Sequence, residues 1–229
     1  MEKSINLPKL NAVKYSLNLL KSNKVIGLGS GSTIEMLIEE ISKMLRIENL
    51  DVSFIPASTQ TYFKLINLGI KPASLDTIDE IDITFDGADE VDERKYVLKG
   101  RGGALFREKI LSYFSKKYII IVDDSKYSKK IGEKSSVAIE VLPYAINPVF
   151  KKIQKICKKA EIRYGGRIKD GPIITDNGNY IIDAYFGEID DPLELSNQIN
   201  SICGVIENGI FYQNITKIIV GYEKEVKVY

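Results

Sequence analysis

A regular alternation of short apolar segments with amphipathic helical patterns, over the first half of the chain, most constrains its fold. The apolar segments suit buried strands, and between them apolar residues recur every three or four positions, as in helices. Alternation of this kind predicts an α/β fold with a doubly wound, mostly parallel, Rossmann-like sheet. The predicted strands are 24–28, 52–55, 81–85 and 118–122, and the predicted helices are 9–22, 33–45, 60–68 and 104–115.

The pattern changes after about residue 128, where the order of elements is typical of a small α+β, ferredoxin-like domain. We therefore expect a catalytic domain over 1–127 and a smaller domain over 128–205, which could serve oligomerisation. A last apolar strand at 218–221 could return to either sheet, and we expect residues 206–229 to complete the first domain. The predicted elements of the smaller domain are a strand at 137–142, a helix at 145–159, a hairpin at 173–185 that turns at 176–179, and a helix at 193–202.

Charge and residue types exclude several classes of protein. The 32 basic residues nearly balance the 31 acidic ones and form no cationic stripe, so we expect no nucleic-acid partner. No apolar run is long enough for a membrane helix, and the polar residues 1–4 do not begin a signal peptide, so we expect a cytoplasmic protein. Histidine is absent, which excludes Ser-His-Asp triads and histidine metal sites. Acid–base chemistry must therefore use carboxylates, Lys, Tyr or Cys.

A glycine-rich loop, Gly27-Leu28-Gly29-Ser30-Gly31-Ser32-Thr33, follows the first strand. Backbone N–H groups at a helix start favour an anion, and the hydroxyls of Ser30, Ser32 and Thr33 could add hydrogen bonds to phosphate oxygens. Both the dinucleotide fingerprint and the ATP-binding P-loop require a glycine where Ser32 stands. The loop therefore predicts a site for a phosphate monoester, and a tight turn capped by serine is the structural alternative.

Two acidic residues, Asp86 and Asp89, follow the third strand at the edge where parallel sheets bind ligands. Gly87 and Ala88 between them permit a tight turn that could aim both carboxylates into one cleft, although aspartates often serve only as turn residues. They could instead hold magnesium, yet nothing nearby resembles a nucleotide site and one phosphate requires no metal. We predict no metal and no cofactor.

A second glycine-rich loop begins at Lys99 and leads into the helix that carries Glu108. Helical spacing places Glu108 on the same face as Leu105 and Leu111, so its carboxylate should point inward. Burial raises the pKa of a carboxyl group toward the range that a general base needs near neutral pH. From the pattern alone, an ion pair with a neighbouring Arg or Lys is the alternative.

Three segments, in this order, resemble type A ribose-5-phosphate isomerase: GLGSGST at 27–33, DGADEVD at 86–92 and KGRGGALFREK at 99–109. The likeness continues through DDSK at 123–126 and GPIITDNGN at 171–179, so it covers most of the chain. The resemblance implies an aldose–ketose isomerase that interconverts D-ribose 5-phosphate and D-ribulose 5-phosphate in the non-oxidative pentose phosphate pathway. It also implies that this sugar phosphate is the partner, and that the protein is a homodimer or homotetramer.

The resemblance further implies roles for individual residues. Glu108 matches the general base that moves a proton through a cis-enediolate, and Lys99 would stabilise the negative oxygen of that intermediate. Asp86 and Asp89 would shuttle protons, one of them while the sugar ring opens. The residues implied to contact substrate are Ser30, Gly31, Ser32, Thr33, Gly87, Ala88, Gly100, Arg101, Gly102 and Lys126.

The chain departs from the family's pattern at several positions. Arg101 stands where the family typically has glycine, and Ser30 stands where threonine is commoner. A lysine of the first helix often contacts phosphate in the family, and neither Lys9 nor Lys14 aligns cleanly with it.

Two other functions fit a related architecture. A sugar-phosphate-sensing regulator would need a DNA-binding segment, for which we expect no room before the first strand. An acyl-CoA transferase would use Glu108 as a nucleophile rather than as a base.

Overall fold

The computed structural model describes residues 6–21, 23–48, 50–166 and 170–229, which contain the following elements. The strands are β1 (Val25–Leu28), β2 (Ser53–Pro56), β3 (Ile83–Asp86), β4 (Glu90–Val91), β5 (Val97–Leu98), β6 (Tyr118–Asp123), β7 (Val137–Val141), β8 (Lys159–Ile162), β9 (Tyr180–Tyr185), β10 (Val205–Asn208), β11 (Ile210–Phe211), β12 (Ile215–Gly221) and β13 (Val226–Val228). The α-helices are α1 (Leu7–Leu17), α2 (Ser32–Leu45), α3 (Thr59–Asn67), α4 (Leu105–Tyr113), α5 (Ile146–Ile153) and α6 (Pro192–Asn200).

The chain divides into two compact units, each built from segments that are not continuous in sequence. Unit 1 runs to Ala88 and adds Arg107–Tyr127 and Gln213–Tyr229. Unit 2 comprises Asp89–Phe106 and Ser128–Tyr212. The expected domain division at residue 128 therefore differs from these units at 89–106 and at 206–212.

Unit 1 contains a six-stranded sheet in the order β13-β12-β6-β3-β1-β2. Every neighbouring pair is parallel except β12 with β13, which confirms the predicted Rossmann-like, mostly parallel sheet. The predicted last strand returns to this sheet, since β12 pairs with β6 in a register that sets Val220 opposite Val122. Parallel strands end at one edge, so the residues that follow β1, β3 and β6 share the carboxyl end of the sheet.

The core of unit 1 explains why these segments form their elements. Helix α2 buries Ile34, Leu37, Ile38 and Ile41, the positions at helical spacing that predicted it. These side chains pack in one cluster with apolar residues of β1, β3 and β6, such as Phe85. The packed helix fixes the loop that precedes it, because that loop joins β1 directly to α2.

Unit 2 contains a four-stranded antiparallel sheet in the order β10-β7-β9-β8, with α5 and α6 between its strands in sequence. This is the ferredoxin-like order that the sequence predicted.

Two predicted boundaries in unit 2 were wrong. The helix expected at 145–159 ends at Ile153, because residues 159–162 form β8 and pair with β9. Only the second arm of the expected hairpin at 173–185 is a strand, although its turn is present where Gly178 N–H donates to the Thr175 carbonyl at 2.9 Å.

A three-stranded sheet in the order β11-β5-β4 was not predicted. Its strands have two residues each, too short for an alternating apolar pattern to reveal. Ile210 pairs with Leu98, and Leu98 pairs with Glu90. This pairing places residues 89–106 in unit 2.

Two expectations concern the chain ends and the membrane. Residues 1–4, on which the signal-peptide argument rested, and residue 22, the predicted end of the first helix, lie outside the described residues. Within the described ranges, no helix combines the length and the apolar character needed to cross a membrane.

Candidate functional site

The loop after β1 comes very close to the end of β3. Gly29 N–H donates to the Phe85 carbonyl at 2.9 Å, which ties the two strand ends together. A Cβ added at Gly29 would lie 1.9 Å from Oδ1 of Asp86. Glycine at this position therefore makes room for the Asp86 carboxylate against the backbone of the loop.

The N-terminus of α2 carries the groups expected to hold an anion. Gly31 precedes the helix with a φ of +87°, a left-handed conformation that favours glycine, and no side chain caps the first turn. Lys9 of α1 reaches this end, and its ammonium donates to Ser32 Oγ at 3.0 Å. Backbone N–H groups, hydroxyls and a cation thus lie together, a combination that suits a phosphate.

Asp86 is fully buried at the end of β3, and hydrogen bonds hold its carboxylate in place. Its Oδ1 accepts from the N–H of Gly87 at 2.7 Å, and its Oδ2 accepts from the hydroxyl of Tyr118 at 2.7 Å. Burial, together with the negative charges of Asp86 and Glu108, raises the pKa of Tyr118 well above its usual value. The phenol therefore stays protonated and acts as a hydrogen-bond donor to the carboxylate.

Glu108 points inward from α4 and is 3% exposed. Its Oε1 accepts a hydrogen bond from the hydroxyl of Ser30, in the first glycine loop. Its charge also acts on Tyr118, so the Glu108 and Asp86 carboxylates share one phenol as neighbour. The structure thus brings together the predicted base, the first glycine loop and one of the two predicted aspartates.

The remaining predicted residues of unit 1 follow β3 and β6 at the carboxyl end of the sheet. A Cβ added at Gly87 would meet Ser30 and Thr33 at 3.8 Å, so the turn after β3 lies against the start of α2. Ala88 is the last residue of this segment of unit 1. Lys126 is half-buried in a short 3-10 helix at Asp124–Lys126, directly after β6 at the same edge of the sheet.

Within unit 2, Lys99 follows β5 and is only 4% exposed. Its backbone N–H donates to the Gly209 carbonyl at 2.9 Å, and its ammonium lies 5.7 Å from the centre of the Phe211 ring. A Cβ at Gly209 would lie 2.1 Å from the Lys99 carbonyl. The short sheet therefore holds this lysine firmly.

The loop after Lys99 is a tight turn that also holds Asp89. Gly100 has a φ of +114°, and its carbonyl accepts from the N–H of Gly103 at 3.0 Å. The N–H of Arg101 donates to Oδ2 of Asp89 at 2.9 Å. The backbone of Arg101 is therefore part of the loop's hydrogen bonding, while its residue surface, like that of Gly102, is exposed.

Two further acids of the DGADEVD segment have structural roles. The buried Glu90 carboxylate accepts from the backbone N–H groups of Gly132, Lys134 and Ser135. The buried Asp92 forms an ion pair with Arg94 at 2.8 Å. Their spacing in the motif alone could not separate them from Asp86 and Asp89.

Sequence reasoning missed Tyr118 and left Lys9 unassigned. Tyr118 is the first residue of β6 and reads as an ordinary apolar strand residue. Its partner Asp86 lies 32 positions earlier, and only the pairing of β3 with β6 reveals the contact. Lys9 occupies the first turn of α1, and its position near Ser32 depends on how α1 packs against α2.

Comparison with known proteins gives consistent matches over nearly the whole chain. A family model described as ribose 5-phosphate isomerase A (phosphoriboisomerase A) matches residues 53–225. The ribose-5-phosphate isomerase A of Methanocaldococcus jannaschii is 44% identical over 220 residues, which cover 96% of each chain. That of Methanococcus aeolicus is 42% identical over 222 residues, 96% of this chain and 94% of that protein.

Solved structures of similar proteins share the complete fold. The ribose 5-phosphate isomerase A of Methanocaldococcus jannaschii superposes with a TM-score of 0.91 at 42% identity, covering 96% of this chain and 97% of that one. A D-ribose-5-phosphate isomerase in complex with phospho-erythronic acid superposes with a TM-score of 0.94 at 41% identity, covering 99% of both chains.

Proposed function

Because the chain belongs to the ribose 5-phosphate isomerase A family and is an isomerase of ribose 5-phosphate, we propose that Glu108 is its general base. Isomerisation removes the proton on C2 of the open-chain aldose and returns it to C1 through a cis-enediolate. One carboxylate placed beside both carbons can do both. The buried position of Glu108 against Ser30 of the first glycine loop is the observation that carries this assignment.

The substrate phosphate binds at the N-terminus of α2 in this proposal. Ser32, Thr33 and the backbone of Gly31 supply donors, and the ammonium of Lys9 supplies a positive charge. The hydroxyl of Ser30 donates to Glu108 and so orients the base, and in this proposal Ser30 also contacts the substrate. A related isomerase has been solved with phospho-erythronic acid, a phosphorylated ligand, which supports a phosphate site.

Lys99 stabilises the enediolate oxygen in this proposal. General-base catalysis contributes about 10² to 10⁴-fold, which leaves much of the barrier to electrostatic stabilisation. Each preorganised donor to a developing oxyanion contributes about 3 to 4 kcal/mol. The support for Lys99 is its place in the KGRGG segment and its low exposure of 4% within unit 2.

Asp86 and Asp89 move protons among the sugar oxygens and assist ring opening. Asp86 suits this task because hydrogen bonds from Gly87 and Tyr118 fix the orientation of its carboxylate. Gly87, Ala88, Gly100, Arg101, Gly102 and Lys126 complete the proposed substrate contacts. Every step uses side chains of the chain itself, so we propose that no metal or organic cofactor takes part.

The direct test is an assay of D-ribose 5-phosphate conversion to D-ribulose 5-phosphate, run with EDTA present and with D-arabinose 5-phosphate as the comparison substrate. We expect full turnover of ribose 5-phosphate in EDTA and a much lower kcat/KM for the arabinose epimer, whose C2 proton lies on the other face. Equal turnover of both sugars would contradict the proposed placement of the base. Loss of activity in EDTA that magnesium restores would contradict the metal-free scheme.

A further inference from the structure

The guanidinium of Arg163 binds the backbone of the loop that follows Lys99. Arg163 lies directly after β8, and its Nη1 donates to the carbonyl of Gly100 at 2.7 Å and to that of Arg101 at 3.1 Å. These are consecutive peptide groups of the second glycine loop. All of these residues belong to unit 2.

Arg163 is itself held in place by a partner, Asp183, that is only partly exposed. Its Nε donates to Oδ2 of Asp183 at 2.7 Å, and its Nη2 donates to Oδ1, which also accepts from the hydroxyl of Ser136 at 3.1 Å. The side chains of Arg163 and Asp183 are 14% and 15% exposed. A bidentate ion pair of this kind fixes the plane of the guanidinium, because each carboxylate oxygen accepts a hydrogen bond from a different nitrogen.

A trans peptide points its carbonyl and its N–H in opposite directions. The peptide group between Gly100 and Arg101 is therefore hydrogen-bonded on both sides. Its carbonyl accepts from Arg163, and its N–H donates to Oδ2 of Asp89 at 2.9 Å. The same carbonyl accepts from the N–H of Gly103 at 3.0 Å. Removing the Arg163 cation therefore takes away one of these two donors, which loosens the peptide and its hydrogen bond to the carboxylate on the other side.

We propose that Arg163, held by Asp183, is a positioning residue for Asp89 in the isomerase reaction, an inference that rests on the function proposed above. It touches no reacting atom. It orients the peptide whose N–H fixes the Asp89 carboxylate, and so holds that carboxylate ready for proton transfer. A small displacement of a catalytic group costs up to about 10²-fold in rate, which sets the size of the expected effect.

The chain contains a matched control in the same unit. Arg94 pairs with the buried Asp92 and donates to two consecutive carbonyls, those of Ile189 at 3.1 Å and Asp190 at 2.9 Å. These carbonyls lie outside the second glycine loop. Arg94→Met therefore removes an equivalent structural network without touching Asp89.

We expect both Arg163→Met and Arg94→Met to lower the melting temperature. Only Arg163→Met should lower kcat for ribose 5-phosphate, by about 10- to 100-fold, with KM changed less than about threefold. Equal kcat values in the two variants would overturn the inference. If Arg163→Met does not fold, Arg163→Lys replaces it. Lysine keeps the charge but cannot bridge Asp183 and both carbonyls, so kcat should still fall by about 3- to 10-fold. An unchanged kcat in Arg163→Lys would overturn the inference.

A double-mutant cycle separates positioning from general damage. In an Asp89→Asn background, where the carboxylate to be oriented is gone, Arg163→Met should lower kcat by less than about threefold further. Effects of Arg163→Met that are as large in this background as in the unsubstituted protein would overturn the inference.

Amide hydrogen exchange at Arg101 provides a readout that needs no substrate. Its N–H should exchange faster in Arg163→Met than in Arg94→Met, because the hydrogen bond to Asp89 is loosened only in the first. This result would show that Arg163 orients Asp89 even if the unsubstituted protein failed to turn over ribose 5-phosphate, in which case the proposed function alone would fail. Unchanged exchange in a protein with full turnover would overturn the inference and leave the proposed function standing.

Discussion

Replacing Glu108 by glutamine keeps the size of the side chain and its hydrogen bond with Ser30 but removes the basic oxygen. We expect kcat to fall by at least about 100-fold while the affinity for ribose 5-phosphate changes little, because the residues at the start of α2 that are proposed to bind the substrate phosphate are not altered. Steady-state kinetics with an independent binding measurement checks this. The control is Glu39→Gln, an exposed carboxylate of α2 paired with Lys64, which should keep full turnover. Near-normal kcat in Glu108→Gln would remove Glu108 as the base.

Tyr118→Phe tests the residue that sequence reasoning missed. The substitution removes the hydrogen bond from the Tyr118 hydroxyl to Oδ2 of the buried Asp86, and weakening the hydrogen bonding of a buried carboxylate costs about 1 to 3 kcal/mol of unfolding free energy. Asp86 also loses its fixed orientation, so we expect kcat to fall by about tenfold. Denaturant unfolding and kinetics measure the two effects. Tyr144→Phe, at a residue 96% exposed, should change neither; equal stability of both variants would show that the hydrogen bond contributes nothing.

At the scale of elements, the approach of the β1 loop to the end of β3 depends on a missing side chain. In Gly29→Ala, the new Cβ would lie within 2.5 Å of three carboxylate atoms of Asp86, so that carboxylate must move and lose its hydrogen bonds with Gly87 and Tyr118. We expect a loss of about 1 to 3 kcal/mol in unfolding free energy, together with lower kcat. For stability, Gly87→Ala is the comparison, because its Cβ meets nothing closer than 3.8 Å and should cost less than about 0.5 kcal/mol. Similar losses in both variants would contradict the steric argument.

The elements that sequence periodicity could predict are those in which the pattern of apolar residues within the segment itself shows which face is buried. Helix α2 and strand β6 show this, since each buries its apolar positions within one local segment. The end of α5 and the two-residue strands were not predictable, because partners distant in sequence decide them: β9 turns residues 159–162 into a strand, and Ile210 pairs with Leu98. Local propensity carries no record of such pairings.

The same division holds for the candidate site. Glu108 and Asp86 could be predicted because a motif and an element boundary mark them. The contacts of Tyr118 and Arg163 could not be predicted, because the partner of each side chain lies more than 30 positions away in the sequence. The sequence reveals which groups have reactive chemistry, and the pairing of strands decides which groups hold them in place.

At the scale of the whole molecule, the absence of histidine has a consequence for pH dependence. Several groups of the described residues have pKa values that move away from neutrality. Hydrogen bonds from Val25 and Lys24 lower the pKa of Asp82, and the partners Glu80 and Asp82 raise that of Lys116. Stability from a lowered aspartate is present above its unfolded pKa of 3.8 and is lost as pH falls below it. Stability from a raised lysine is present below 10.5 and is lost as pH rises beyond it.

Between about pH 5.5 and 8.5 both contributions are therefore present, and we expect the free energy of unfolding to vary by less than about 1 kcal/mol. Tyr118 adds to this plateau, because its raised pKa means that its contribution is lost only above its usual pKa of 10.0. Guanidinium unfolding at several pH values measures the plateau, and kcat is measured on the same samples. With a constant free energy of unfolding across this range, a fall in kcat on its acid side reports protonation of a catalytic carboxylate rather than unfolding. A free energy of unfolding that fell in parallel with kcat would contradict this assignment.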